Sequence, residues 1–320
     1  MMKQALRLLS PAGAGARLSV LIFHRVLREP DPLFPGEMDA PRFEAVCSWM
    51  SEWFNVLPLD AAVRQLETGA LPERAMAITF DDGYADNHDV ALPILRRHGL
   101  PATFFIATGF LDGGRMWNDT VIESIRRTPL RRIDLRSVCG MDLGIHDLDT
   151  VTARRTAIGR IIGGIKYMEP ERRQTVVDTI GSRADTALPD DLMMTSEQVR
   201  GMRAAGMQIG AHTVSHPILA RLDREAAREE IEVSRQRLEA ILDERIGLFA
   251  YPNGKPAEDY SDETVTLARE VGFDAAVSTA WGAAGSATDR FQLPRFTPWD
   301  ATRLRFGIRL AANLWSSRAA

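Results

Sequence analysis

Two short stretches combine residue types that do chemistry: Thr79-Phe80-Asp81-Asp82-Gly83 and His212-Thr213-Val214-Ser215-His216-Pro217. Adjacent carboxylates repel each other unless a cation or a proton lies between them, and Gly83 lets the backbone turn both toward one place. Two imidazoles four residues apart add nitrogen donors on a loop and a helix start, because Pro217 disfavours helix at His216 and suits the first turn of the helix that follows. Two histidines and one carboxylate are a common ligand set for a first-row divalent metal, with positions left open for water. Each stretch alone has a plainer meaning. Asp-Asp-Gly is equally a turn with Asp82 capping a helix, and a lone histidine is more often a satisfied structural residue. Histidines paired at one strand end, with Asp-Asp at another, favour metal. A third stretch, Phe249-Ala250-Tyr251-Pro252-Asn253-Gly254, can aim a backbone N–H at the same place as an oxyanion donor, though Pro-Asn-Gly is equally an ordinary turn.

The elements that must position these residues are parallel strands. Short β-branched or aromatic runs at 18–24, 56–57, 75–80, 102–106, 207–211, 248–251, 273–277 and 293–296 alternate with amphipathic patterns, which predicts βα units. Phe43, Val46, Cys47, Met50 and Phe54 mark one helix face, and Ala227, Ile231, Ser234, Leu238 and Ile241 another. A helix is predicted over 86–98, closed by Gly99, and Thr195 with Gln198 has capping-box spacing. All three stretches fall at the C-terminal ends of strands, where α/β barrels place their active sites. Seven or so strands fit a closed or nearly closed barrel over 18–297. Between 112 and 194 the strand signal gives way to helical patterns at 120–127, 151–168 and 171–180, which predicts a helical insertion. The last segment, 298–320, reads as an amphipathic helix. It interleaves Trp299, Leu304, Phe306, Ile308, Leu310, Leu314 and Trp315 with Arg303, Arg305, Arg309 and Arg318, suited to docking on the barrel or to lying on an anionic membrane.

In this order the three stretches resemble the polysaccharide deacetylases, carbohydrate esterase family 4 or the NodB-homology domain, over about residues 74–111 and 195–297. The resemblance implies a distorted (β/α)7 barrel and a metal-dependent hydrolase that removes acetyl groups from sugars. On the family's motifs Asp81 matches the catalytic base, Asp82, His212 and His216 match the metal ligands, and the Asn253 N–H matches the oxyanion donor, with Thr213 and Ser215 buttressing the histidine loop. The implied metal is Zn²⁺, with Co²⁺, Mn²⁺ or Ni²⁺ as alternatives. It would bring the pKa of a water to roughly 7 and polarise the acetyl carbonyl, while Asp81 takes the proton and an acid protonates the departing amine. The sequence departs from the family twice: no arginine lies between Ile246 and Gly254 to orient the base, and no histidine follows His216 to act as acid. His24, ending the first strand, is the candidate acid and resembles a histidine of the exopolysaccharide-processing branch. Arg295, ending the last strand, is the candidate partner of Asp81. Tyr251 and Trp117 are candidate sugar-binding residues, Trp117 by stacking from a lid, though its helix equally suits packing. His88, His98 and His146 carry no predicted catalytic role.

Composition bounds the partners. The 320 residues carry 39 basic and 43 acidic side chains, a net charge of −4, with no run of five like charges, which predicts no nucleic-acid partner. Two cysteines, Cys47 and Cys139, without metal-ligand spacing argue against a disulfide framework and a thiolate zinc site. The apolar run at 20–23 is too short for a signal-peptide core, and no window reaches the roughly 20 apolar residues of a membrane span. The expected location is therefore the cytoplasm or the inner membrane surface, and the expected substrate an N-acetylated glycan or a lipid-linked sugar. The alternatives are an amidase or deformylase acting on another small amide with the same site, and a glycan-binding homologue without turnover.

Overall fold

The computed structural model describes residues 2–317. In chain order the elements are α1 (Met2–Leu9), β1 (Leu18–Phe23), α2 (Ala40–Trp53), β2 (Asn55–Val56), α3 (Leu59–Glu67), β3 (Ala75–Phe80), α4 (Leu92–Arg97) and β4 (Thr103–Ile106). There follow α5 (Trp117–Arg127), β5 (Arg132–Asp134), β6 (Ile145–Asp147), α6 (Val151–Ile165) and α7 (Pro170–Arg183). The chain ends with α8 (Ser196–Ala204), β7 (Gln208–Ala211), α9 (Arg224–Leu242), β8 (Leu248–Ala250), α10 (Asp262–Val271), β9 (Ala275–Trp281), β10 (Leu293–Phe296) and α11 (Arg303–Ser316). Two compact units result among the described residues, one of residues 2–29, 38–112 and 194–317, the other of residues 30–37 and 113–193.

In the first unit β1 pairs in parallel with both β10 and β3, Val20 beside Arg295 on one side and Leu18 beside Ala75 on the other. That double pairing closes β1, β3, β4, β7, β8, β9 and β10 into a parallel barrel of seven strands, the predicted architecture, with the two-residue β2 added to the first half of β3. Alternation along the strands separates two apolar surfaces. Leu18, Val20, Ala75, Ala77, Phe105, Leu248, Ala250, Ala275, Val277 and Leu293 form one cluster. Their neighbours Leu21, Phe23, Met76, Ile78, Phe80, Phe104, Ile106 and Phe249 join the apolar faces of the helices in another. Ala75 and Ala77 share their parity with Thr79 and Asp81, and Leu293 with Arg295. Small side chains on this face therefore lead to the polar ones at the strand ends.

Two local features depart from the sequence reading. The predicted helix over 86–98 opens with a π-helical turn at Asn87–Ala91 before α4 begins. The C-terminal helix is shorter than 298–320, and Arg318 lies outside the described residues. One face of α11 is buried through Phe306, Leu310 and Leu314, with Phe306 beside Phe296, Trp49 and Trp53. The helix thus docks on its own unit, while Leu304, Ile308 and Trp315 stay exposed.

The second unit packs α5, α6 and α7 around Val121, Ile125, Ile158, Ile161, Val176, Val177 and Ile180. Sequence patterns show its helices but miss the antiparallel pair β5–β6, whose strands have only three residues each. They also miss residues 30–37: Leu33 enters this core, the Arg155 Nε donates to the Leu33 carbonyl (2.7 Å), and Arg126 pairs with Asp31 (2.6 Å).

Candidate active site

At the end of β3 the chain delivers Asp81 and Asp82 in turn. Asp81 is 2% exposed, and its backbone N–H donates to the Phe23 carbonyl, tying the end of β3 to that of β1. Arg295, 1% exposed on β10, reaches it as a two-pronged fork: Nη1 to Oδ1 and Nη2 to Oδ2, both at 2.7 Å. Arg295 Nε donates to the Ser278 carbonyl (2.7 Å), and Nη1 also reaches Thr79 Oγ1 (3.2 Å), so the guanidinium is fixed on several sides. Burial alone would raise the Asp81 pKa, but the Arg295 charge prevails and holds the carboxyl below the usual range. Asp81 therefore sits ionised and oriented, as a base must. No arginine stands in the third stretch, and the one that reaches Asp81 comes from β10.

Asp82 turns the other way, at φ 77°, followed by Gly83 at φ 89°, the turn that glycine permits. Its Oδ1 is buried and takes no hydrogen bond, an expensive state for a carboxylate oxygen in a closed site. Facing it are His212 Nε2 at 3.5 Å and His216 Nε2 at 3.4 Å, and the ligand atoms of all three lie within 4.8 Å of one another. His212 extends β7, and its Nδ1 is 2.7 Å from the Ala250 carbonyl, the second contact that leaves Nε2 free to face inward. Burial pushes the His216 imidazole down to about 4, so its ring is neutral at neutral pH. Burial also acts against charge on His212, but the neighbouring Asp82 and Asp81 carboxylates raise its pKa above the ordinary value. An unsatisfied carboxylate oxygen between two imidazole nitrogens fits a divalent cation.

His24 lies directly after β1, exposed, and near enough to act electrostatically on Asp81, Asp82 and His216. Its loop is tied to the Asp-Asp loop. The Asn87 amide donates to the His24 carbonyl (2.9 Å), while Asp86 accepts from Arg25 Nε (2.8 Å) and the Val26 N–H (3.1 Å). Asp86 and Asn87 stand at the start of the helical stretch, within the helix predicted from residue 86, and there they also clamp the segment that carries His24. Asn253 stands at φ 58°, with Thr279 Oγ1 donating to its carbonyl (2.8 Å); among the described residues no acceptor takes its N–H.

One candidate is corrected. Tyr251 is fully buried, stacked on Tyr260 at 4.0 Å and edge-on to Phe249, so its ring belongs to the core and presents nothing to a sugar. Strand alternation explains this: Tyr251 shares the parity of Phe249, which faces the helices. Trp117 opens α5 in the second unit, where the Arg173 guanidinium lies 4.6 Å over its ring. The remaining histidines have local partners: His88 with Asp89, His98 with Glu44, His146 with the Leu143 carbonyl.

Residues 68–133 and 168–276, more than half of the chain, match the family model described as polysaccharide deacetylase. The Bacillus subtilis (strain 168) protein YxkH is 21% identical over 282 residues, 88% of this chain and 71% of that protein. The poly-beta-1,6-N-acetyl-D-glucosamine N-deacetylase of Staphylococcus aureus (strain N315) is 27% identical over 112 residues, 35% of this chain and 38% of that protein. Among solved structures, the Streptococcus pyogenes deacetylase PplD in complex with acetate has a TM-score of 0.61 at 19% identity, covering 93% of this chain and 98% of that one. IcaB from Ammonifex degensii follows with a TM-score of 0.57 at 18% identity, over 95% and 98%. At these identities the two structures establish likeness of fold.

Proposed function

This chain belongs to the polysaccharide deacetylase family, hydrolases of N-acetyl amide bonds, and on that premise we propose that it removes the acetyl group from an N-acetylated sugar of a polysaccharide or a lipid-linked glycan precursor. The observation that carries this reading is an ionised, arginine-held Asp81 beside the Asp82, His212 and His216 donor set. Those three residues would hold a divalent ion, taken here as Zn²⁺, whose charge acidifies water and polarises a carbonyl. Asp81 accepts the proton of the attacking water, and its fork with Arg295 keeps the carboxylate aimed while charge moves. The Asn253 N–H donates to the oxyanion that develops as the carbonyl carbon becomes tetrahedral. His24, at the mouth of the site, gives a proton to the leaving amine. The Arg295 fork also favours turnover over a glycan-binding role, because a binding module has no use for a buried base.

The test is acetate release from N-acetylhexosamine glycans and lipid-linked sugars, with and without chelator. Chelator-sensitive release supports the reading. Chelator-insensitive release removes the metal from it, and release only from a formamide or another small amide moves the substrate class. Asp82→Ala, His212→Ala and His216→Ala are each expected to lose stoichiometric metal.

For the membrane we propose peripheral contact through α11. Leu304, Ile308 and Trp315 recur along one exposed stripe, with Trp299 just before the helix and Arg303 and Arg305 exposed beside them. Arginines flanking such a stripe suit anionic lipid, whereas two copies of the stripe facing each other would bring like charges together. No helix among the described residues is long and apolar enough to cross a membrane, so the contact would be in-plane. Flotation with anionic vesicles and not with zwitterionic ones is the expected result; protein left in solution with both disposes of the idea.

A further inference from the structure

The loop that carries His216 is held by a side chain that lies outside every motif. Between β7 and His216 the backbone enters the left-handed region twice, at Thr213 (φ 64°) and His216 (φ 54°). Non-glycine residues keep such angles only where their surroundings over-determine them. His212 has its strand and the Ala250 carbonyl to fix it, and among the described residues the His216 ring makes no comparable hydrogen bond to backbone. The loop itself must place it. From one side the Thr108 N–H donates to the Thr213 carbonyl (3.1 Å) and the Gly109 N–H to the Val214 carbonyl (2.8 Å). The approach is so close that a Cβ at Gly109 would lie 2.6 Å from the Val214 carbonyl oxygen. From the other side comes Glu230 of α9. Its Oε2 accepts from both the Val214 N–H (2.8 Å) and the Ser215 N–H (2.9 Å), and its Oε1 accepts from Ser215 Oγ (2.6 Å). Two successive N–H groups converging on one point make an anion-binding concavity, filled here by the chain's own carboxylate.

We propose that Glu230 is a positioning residue for the metal centre: by clamping Val214 and Ser215 it fixes the strained His216, and so sets the affinity and geometry of the Asp82, His212 and His216 set. The proposal rests on the reading of those three residues as metal ligands. Glu230 makes no hydrogen bond to any of their side chains, so it acts through the loop.

The test is titration of the full chain with Co²⁺, followed by its visible d–d absorption, with far-UV circular dichroism of the metal-free protein alongside. Outer partners of metal ligands typically carry 10- to 100-fold in affinity. Glu230→Ala is expected to bind Co²⁺ about 10- to 100-fold more weakly, with altered band intensities and an unchanged dichroism spectrum. Ser215→Ala, which removes one of the three bonds, falls between it and the wild type. Glu230→Gln, which keeps one acceptor oxygen, recovers part of the loss. Wild-type affinity and spectrum in Glu230→Ala overturn the proposal. Should that variant not fold, unchanged Co²⁺ binding in both Ser215→Ala and Glu230→Gln overturns it equally. A wild-type chain that takes up no Co²⁺, or an Asp82→Ala chain that binds it normally, overturns the metal reading instead.

Discussion

Asp81 and Arg295 meet in a buried fork, and such a pair is costly to break from one side. Removing the cation leaves an uncompensated carboxylate, at about 3–5 kcal/mol. Arg295→Ala is therefore expected to lose that much stability in denaturant unfolding, together with its turnover. Arg295→Lys keeps the charge without the planar fork, so it should recover more of the stability than of the rate. Tyr251 offers a contrasting test. Its hydroxyl is buried without a partner, so Tyr251→Phe is expected to be neutral or to stabilise by about 1 kcal/mol, with KM unchanged. A raised KM would return Tyr251 to the substrate site. Asn87 holds the His24 carbonyl, and Asn87→Ala should lower kcat while leaving Co²⁺ affinity at the wild-type value. A rate as high as the wild type would detach Asn87 from the chemistry.

At the scale of elements, β3, which delivers Asp81 and Asp82, is anchored through Phe80. Phe80 packs between Phe23 (5.1 Å) and Phe104 (4.7 Å), with Phe43 edge-on at 5.7 Å. Phe80→Ala should cost about 3–5 kcal/mol in thermal or denaturant unfolding, because a cavity opens directly beneath the two aspartates. Most of these elements were legible from local pattern: short apolar and β-branched runs mark the barrel strands, and the Ala227, Ile231, Ser234, Leu238 stripe announces its helix by period 3.6. The β5–β6 pair was not, since Arg132–Asp134 and Ile145–Asp147 each carry a single apolar residue among polar ones and make no apolar run. Nor was the π-helical turn at Asn87–Ala91, a single wider turn in an otherwise helical stretch that a 3.6 period does not announce.

At the scale of the whole molecule, the chain leaves the barrel unit after Asp112 and returns at Met194, and the Asp112 N–H donates to the Met194 carbonyl (3.2 Å). The two ends of the excursion are adjacent, so a short Gly-Ser linker can replace residues 113–193 at little loop-closure cost. All seven barrel strands and the Asp82, His212 and His216 donor set remain. The shortened chain is expected to fold and to bind Co²⁺ like the full one, read by circular dichroism and d–d absorption; loss of metal binding would show that the second unit supports the site.

The sequence by itself determined the donors and where they stand: Asp81, Asp82, His212 and His216 at strand ends, His24 and Arg295 at the ends of the first and last strands, and an α/β barrel to hold them. These are readable because residue type, strand alternation and turn chemistry are local. Only the tertiary structure decided how those residues meet their partners, including the two-pronged geometry by which Arg295 holds its expected partner Asp81. The fork joining Asp81 and Arg295 spans 214 residues of chain, and Glu230 reaches the histidine loop from a helix whose spacing speaks only of its buried stripe. The burial of Tyr251 follows from which way one strand end faces. Contacts of this kind depend on closure of the barrel, which pairs β1 with both β3 and β10 and which no local pattern encodes.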